Sequence, residues 1–294
     1  MDDLYKWPEG KRCAVMLSVL YDDGLDAMAK APDLAYRSKS RSVWEYGSQR
    51  GLERLLSTIE EYKVPSTWFV PGMVLSTQQS LIKEIAQANT EVAARGVNFE
   101  NYFDLSLAEQ ISKLKQTQEI FEDTLDTQLK GFRLPSGLWP YGFDHTLTEF
   151  GFSWTSSLNG DDCPYTHLSG LVQIPVHIEL EDRPYFQFNF TPAFPTGHSR
   201  IAGYEAVLDN WKREFDAYRQ YGLCFVLQLR PEITGTAGRI FLVREMLSYM
   251  SQFDDVWFAT GSDIASWHQQ NNGVAAQDHP INVFEQYLSE GKDV

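Results

Sequence analysis

Short unbroken apolar runs alternate along the chain with stretches in which apolar residues recur every three to four positions. Cys13–Leu20 is such a run, cut off by Tyr21-Asp22-Asp23-Gly24, and predicts a buried strand. Leu52, Leu55, Leu56, Ile59 and Tyr62 keep helical spacing, and Ser66–Val70 then reads as a strand before Pro71-Gly72. A short helix is expected around Leu81, Ile82 and Ile85, followed by a strand at Glu91–Ala94. Ser106 with Glu109 has capping-box spacing ahead of Ile111, Leu114, Phe121 and Leu125, which predicts a long helix. Val207, Trp211, Phe215 and Tyr218 predict a helix ending at Gly222. A strand at Leu223–Leu229, a helix through Leu242, Met246 and Met250, and a strand at Val256–Ala259 follow.

This alternation argues for an α/β fold around a parallel sheet, open or closed into a barrel. Residues 130–200 are rich in aromatics, Pro and Gly and read as long covering loops. No internal repeat or linker breaks the pattern, so one domain over residues 1–294 is expected.

Composition narrows the partners. The chain has 25 Lys and Arg against 40 Asp and Glu, a formal net charge of −15, which argues against nucleic acid and anionic membranes. A small-molecule substrate is the expected partner. No basic segment followed by an apolar run opens the chain and no apolar stretch is long enough to span a bilayer, so neither signal peptide nor membrane span is expected. Cys13, Cys163 and Cys224 are odd in number and far apart, which fits a reducing, cytoplasmic compartment.

In parallel α/β folds chemistry gathers at the carboxyl ends of strands. Asp22-Asp23 follows the first strand, and either carboxylate suits a general base or metal ligand; an Asp-Gly turn is the plain alternative. Arg95 follows the Glu91–Ala94 strand and Arg230 the Leu223–Leu229 strand, as anion binders or as structural ion pairs. The six histidines show no HxxxH or HxH spacing, no cysteine joins them in a zinc pattern, and GxGxxG, GxxxxGK[ST] and GxSxG are absent.

Together the segments resemble a known family. Leu17–Gly24, Trp44–Gly51, Ser66–Gly72, Glu91–Leu105, Gly131–Pro135, Ser156–Tyr165, Leu229–Arg239 and Asp255–Trp267 run in the order of the polysaccharide deacetylase (NodB-homology, carbohydrate esterase 4) superfamily, in particular its allantoinase-like and cyclic imide hydrolase-like branch. The resemblance implies a distorted (β/α)7-type barrel. It also implies a divalent metal held by an Asp and an HxxxH pair, but those two positions here are Arg95 and Phe99. A further family histidine is replaced by Arg230. Matching Tyr21 and Gly24 makes Asp22 and Asp23 the acidic pair of the first motif. Glu45, Arg133 and Asp162 stand at pocket-lining positions. With Phe99 and Trp139, the latter one of several aromatics suited to walling a planar ligand, they are the expected substrate-binding residues.

Guanidinium and phenyl groups offer no lone pair to a metal, so no metal or other cofactor is expected. The expectation is a metal-independent hydrolase of a carbon–nitrogen bond in a small amide, ureide or cyclic imide. Asp22 or Asp23 would act as base, and Arg95 and Arg230 would stabilise negative charge. The alternative is a catalytically inactive relative that binds a small anion or partners an active paralogue. Relatives of this branch are often dimers or tetramers, so a homo-oligomer is expected too.

Overall fold

A computed structural model describes residues 5–186, 201–273, 275 and 277–289. Part of the loop-rich stretch expected over 130–200, residues 187–200, lies outside the described residues, as does the start of the chain. In order the elements are β1 (Cys13–Leu20), α1 (Leu25–Lys30), α2 (Ser38–Tyr46), α3 (Leu52–Glu61), β2 (Ser66–Val70), α4 (Gly72–Thr77), α5 (Gln79–Gln87) and β3 (Thr90–Ala94). Then come α6 (Leu107–Leu125), β4 (Gly131–Phe132), α7 (Phe143–Glu149), β5 (Trp154–Thr155), β6 (Tyr165–Thr166), β7 (Val172–Gln173) and α8 (Arg183–Phe186). The last described elements are α9 (Tyr204–Tyr221), β8 (Cys224–Leu229), α10 (Ile240–Met250), β9 (Val256–Phe258), α11 (Gly261–Asn271) and α12 (Pro280–Ser289).

These elements form two compact units. The first takes residues 1–68, 87–90 and 177–260; the second takes 69–86, 91–176 and 261–294, and β2 passes from one into the other.

In the first unit β1 pairs in parallel with β8, from Ala14 opposite Cys224 to Val19 opposite Leu229, and with β9 at Cys13–Val15. All eight residues of β1 and all six of β8 are buried, the pattern of strands covered on both faces. The helical repeat of Val207, Trp211, Phe215 and Tyr218 is the buried stripe of α9. Phe215 and Tyr218 meet the Phe225 ring edge to face at 5.7 and 5.6 Å. Gly222 ends α9 in a left-handed conformation, φ 77°, and its carbonyl accepts the Trp7 indole N–H at 2.8 Å.

In the second unit the strand order is β3-β4-β5-β7-β6, parallel except for the last pair. Its core is a run of rings, with Phe132 in contact with Tyr102, Phe143 and Phe152 at 5.5–5.7 Å. Ser106 caps α6 as expected. Its hydroxyl accepts the Glu109 N–H, while the Glu109 carboxylate accepts the Ser106 N–H at 2.8 Å.

The stretch expected as loops contains β4 to β7, α7 and α8. Each of these strands is two residues long, too short for any alternation to show in the sequence.

Candidate functional site

In the first unit chemistry collects where β1 and β8 end side by side. Asp22 follows β1 and is 2% exposed; Arg230 follows β8 and is 3% exposed. Arg230 does not face solvent with a bare charge. Its Nη1 lies 2.6 Å from Glu181 Oε1 and 3.4 Å from Asp182 Oδ1. Asp182 is fully buried and also accepts the Arg230 main-chain N–H at 2.7 Å and the Thr234 hydroxyl at 2.9 Å. A bridge from Glu181 to Gln228, with the Asp182 N–H bonded to the Gln228 carbonyl, holds these carboxylates at the end of β8.

The electrostatics follow from this packing. Burial works to lower the Arg230 pKa, but the charges of Glu181, Asp182 and Asp22 outweigh it and raise it, so the guanidinium stays charged. Burial pushes the Asp182 carboxyl up to about 6, against the pull of Arg230 and of its hydrogen bonds. Glu232 is pushed up to about 8 by burial and by the charge of Asp26, against Arg230 and Arg183. At neutral pH Glu232 therefore holds its proton. Asp26 is itself buried and paired with Arg183.

Local backbone geometry makes this possible. Asp23 adopts φ 47° and Gly24 φ 82°, two left-handed residues that turn the chain off β1. The Asp23 carboxylate accepts the Ser48 hydroxyl. Ser48 belongs to a single π-helical turn, Gly47–Gly51, between α2 and α3. A Cβ on Gly51 would stand 2.1 Å from the Pro231 carbonyl oxygen, so only glycine lets this turn touch the segment that carries Arg230 and Glu232. Glu45 sits elsewhere on α2: it is exposed and pairs with Arg41 one turn away at 3.3 Å.

In the second unit Arg95 and Arg133 donate to neutral groups. Arg95 is 4% exposed and donates to the carbonyls of Leu134 and Pro135 at 3.2 and 3.3 Å. Its guanidinium lies 5.0 Å from the centre of the Phe99 ring. Phe99 is 4% exposed at φ 64°, a conformation a bulky side chain rarely adopts. Glu100 shapes this turn by accepting the N–H groups of Val97 and Asn98 at 3.0 Å. Arg133, also 4% exposed, donates to the Ser156 hydroxyl at 2.9 Å and lies over Phe69 at 4.6 Å. Trp139 packs on Phe143 and stacks on His167. Asp162 is exposed beside Asp161, whose side chain closes a turn by accepting the N–H groups of Asp162 and Cys163.

The histidine-held metal of the family does not fit these residues. The two positions carry a guanidinium committed to main-chain carbonyls and a buried phenyl ring, and neither can donate a lone pair. Thiolate chemistry does not fit either: burial pushes the thiols of Cys13 and Cys163 up to about 12.

Sequence reasoning missed Glu181, Asp182 and Glu232. Glu232 stands within the Leu229–Arg239 segment, two residues from Arg230. The run Glu181-Asp182-Arg183 was visible as a charged triplet, but nothing in the order of residues tied it to β8.

A family model described as polysaccharide deacetylase matches residues 40–154. A crystal structure from Mycobacterium smegmatis, assigned to the polysaccharide deacetylases, is 30% identical, covers 92% of this chain and 94% of its own, and superposes with a TM-score of 0.86. A peptidoglycan deacetylase of Helicobacter pylori is 24% identical over 249 residues, covering 75% of this chain and 84% of its own. An allantoinase of known structure is 18% identical, covers 92% of this chain and 94% of its own, and shares the fold with a TM-score of 0.78. The mixed α/β fold is thus that of the NodB-type deacetylase barrels.

Proposed function

The chain belongs to the polysaccharide deacetylase family, a family of hydrolases, and from that premise we propose that it hydrolyses a carbon–nitrogen bond of a small amide, ureide or cyclic imide without a metal. The observation that carries this reading is the carboxyl cluster at the ends of β1 and β8, in which buried Asp22 and half-buried Glu232 both interact electrostatically with the charged Arg230.

The roles divide by environment. Asp22 is the general base: it takes a proton from water as the water oxygen bonds to the carbonyl carbon. Glu232, which holds its proton up to about pH 8, is the general acid. It gives that proton to the nitrogen as the carbon–nitrogen bond breaks, leaving a carboxylic acid and the protonated nitrogen group: an amine from an amide, an amide or urea N–H from an imide or ureide ring. Glu232 thereby stands in for the imidazole that Arg230 has replaced. Asp23, turned toward Ser48, shapes the turn instead of serving as the base.

An oriented base contributes about 10²–10⁴-fold. That suffices for a strained or activated ring and is thin for an unactivated acetamide. The allantoinase likeness makes ring ureides and cyclic imides the first substrates to try.

A second reading has one observation behind it. Glu181 and Asp182 already neutralise Arg230, as in a binding protein that no longer reacts. Incubation with allantoin, hydantoins, succinimide-type imides and N-acetylated sugars separates the two. Turnover of a ring substrate that is lost in Asp22→Asn and loses its alkaline limb near pH 8 in Glu232→Gln supports hydrolysis. Binding without turnover across the panel supports the inactive reading.

A further inference from the structure

Within the second unit Asp144, His167 and Glu285 bring one ligand atom each to within 4.8 Å of one another. Asp144 stands in the first turn of α7, His167 directly follows β6, and Glu285 lies on α12. We propose that these three side chains form a divalent-cation site that fastens α12 to the end of β6 and the start of α7.

Asp144 is fully buried, yet neither carboxylate oxygen makes a hydrogen bond, and His145 Nε2, on an exposed side chain, is 3.9 Å away. His167 is also fully buried, and neither ring nitrogen makes a hydrogen bond. Its Nδ1 lies 3.5 Å from Glu285 Oε1, an oxygen that likewise has no hydrogen-bond partner. Among the described residues no Lys or Arg pairs with either carboxylate. Buried polar groups are ordinarily satisfied, so three converging lone-pair donors without protein donors call for a cation.

Chemistry and geometry agree. Two carboxylates and a neutral imidazole bring two negative charges, which a divalent cation cancels, and the imidazole favours a first-row ion such as Zn²⁺ or Mn²⁺ over Ca²⁺ or Mg²⁺. The 3.5 Å edge between His167 and Glu285 suits adjacent ligands of an ion bonded at about 2.0–2.2 Å. The remaining edges are no longer than 4.8 Å, and the Glu285 side chain is 15% exposed, which leaves a way in for the ion. Neighbours hold the frame: Trp139 stacks on His167 at 5.8 Å and 15°, and the Asn282 amide donates to the Thr166 carbonyl at 3.2 Å. No residue here belongs to the family's metal motif, whose histidine positions are Arg95 and Phe99, and the proposal is independent of the hydrolase reading.

The test is isothermal titration of chelator-treated full-length protein with Zn²⁺ and, separately, Mn²⁺, with thermal unfolding at each ratio. The expected result is one equivalent of at least one ion per chain, a raised unfolding temperature, and about tenfold or greater loss of affinity in Asp144→Asn and in His167→Gln. Added Co²⁺ should give a visible absorption band in the parent and none in Asp144→Asn. Should a buried variant fail to fold, Glu285→Gln, on a partly exposed helix, serves in its place. Absence of binding of either ion at millimolar concentration, or binding unchanged in the variants, would overturn the proposal and leave the trio as an imidazolium held between carboxylates.

Discussion

Arg230 and Asp182 are joined twice: the Arg230 main-chain N–H donates to one carboxylate oxygen at 2.7 Å, and its guanidinium reaches the other at 3.4 Å. The second contact neutralises a charge, while the first fixes the backbone exactly where β8 ends. Asp182 is therefore a positioning residue for everything that follows β8, including Glu232.

Asp182→Ala removes this anchor and leaves Glu181 as the ion-pair partner of the buried Arg230 charge. Urea unfolding should show a loss of about 3–5 kcal/mol, the range for breaking a buried pair from one side. A loss under about 1 kcal/mol would mean that the remaining carboxylates satisfy Arg230 without Asp182.

Stability should fall as pH rises from 6.5 to 8. The Glu232 pKa lies above its ordinary value in the folded protein, so the folded state holds more protons than the unfolded state between 4.5 and about 8, and stability declines through that window. Two other groups act lower. Asp182 lowers stability as pH rises from 3.8 to about 6. His268, pushed down to about 4 by burial, costs stability as pH falls below 6.5. Above pH 6.5 the decline thus reports Glu232, and in Glu232→Gln it should flatten. An unchanged slope in that variant would assign it to another group.

At position 99 the usual order of glycine and alanine should reverse. Both substitutions remove the buried ring and its contact with Arg95, at about 3–5 kcal/mol. Glycine alone adopts φ 64° without strain, so Phe99→Gly should be at least as stable as Phe99→Ala by chemical denaturation. Phe99→Ala more stable by about 1 kcal/mol, as at ordinary positions, would contradict the left-handed geometry.

Gly51→Ala should cost about 1–3 kcal/mol, because its methyl group meets the Pro231 carbonyl and one backbone must retreat. Since Pro231 links Arg230 to Glu232, activity should fall as well, at temperatures where circular dichroism shows the fold intact. A variant with parental stability would mean the two segments part easily.

The parts of the fold legible in the sequence were those long enough to show a period. β1 and β8 stood out as unbroken apolar runs, and α6 and α9 as repeats of three and four with a cap or a terminal glycine. β4 to β7 were not legible, since a two-residue strand takes its identity from its neighbours. The site divides in the same way. Asp22 and Arg230 are legible as candidates because each stands at the end of a readable strand. Asp182 and Glu232 matter through burial and partner charges, which belong to tertiary structure. Asp144, His167 and Glu285 lie too far apart in the chain for any spacing rule to join them.

The central claim is that carboxylates, and no metal, carry out the chemistry. Its most direct test is the turnover of a ring ureide or cyclic imide by chelator-treated protein, with Asp22→Asn alongside and the fold followed by circular dichroism. The account predicts that turnover persists in chelator and falls about 10²–10⁴-fold in Asp22→Asn. Turnover that disappears in chelator while the fold is retained, and returns on adding Zn²⁺, would contradict it.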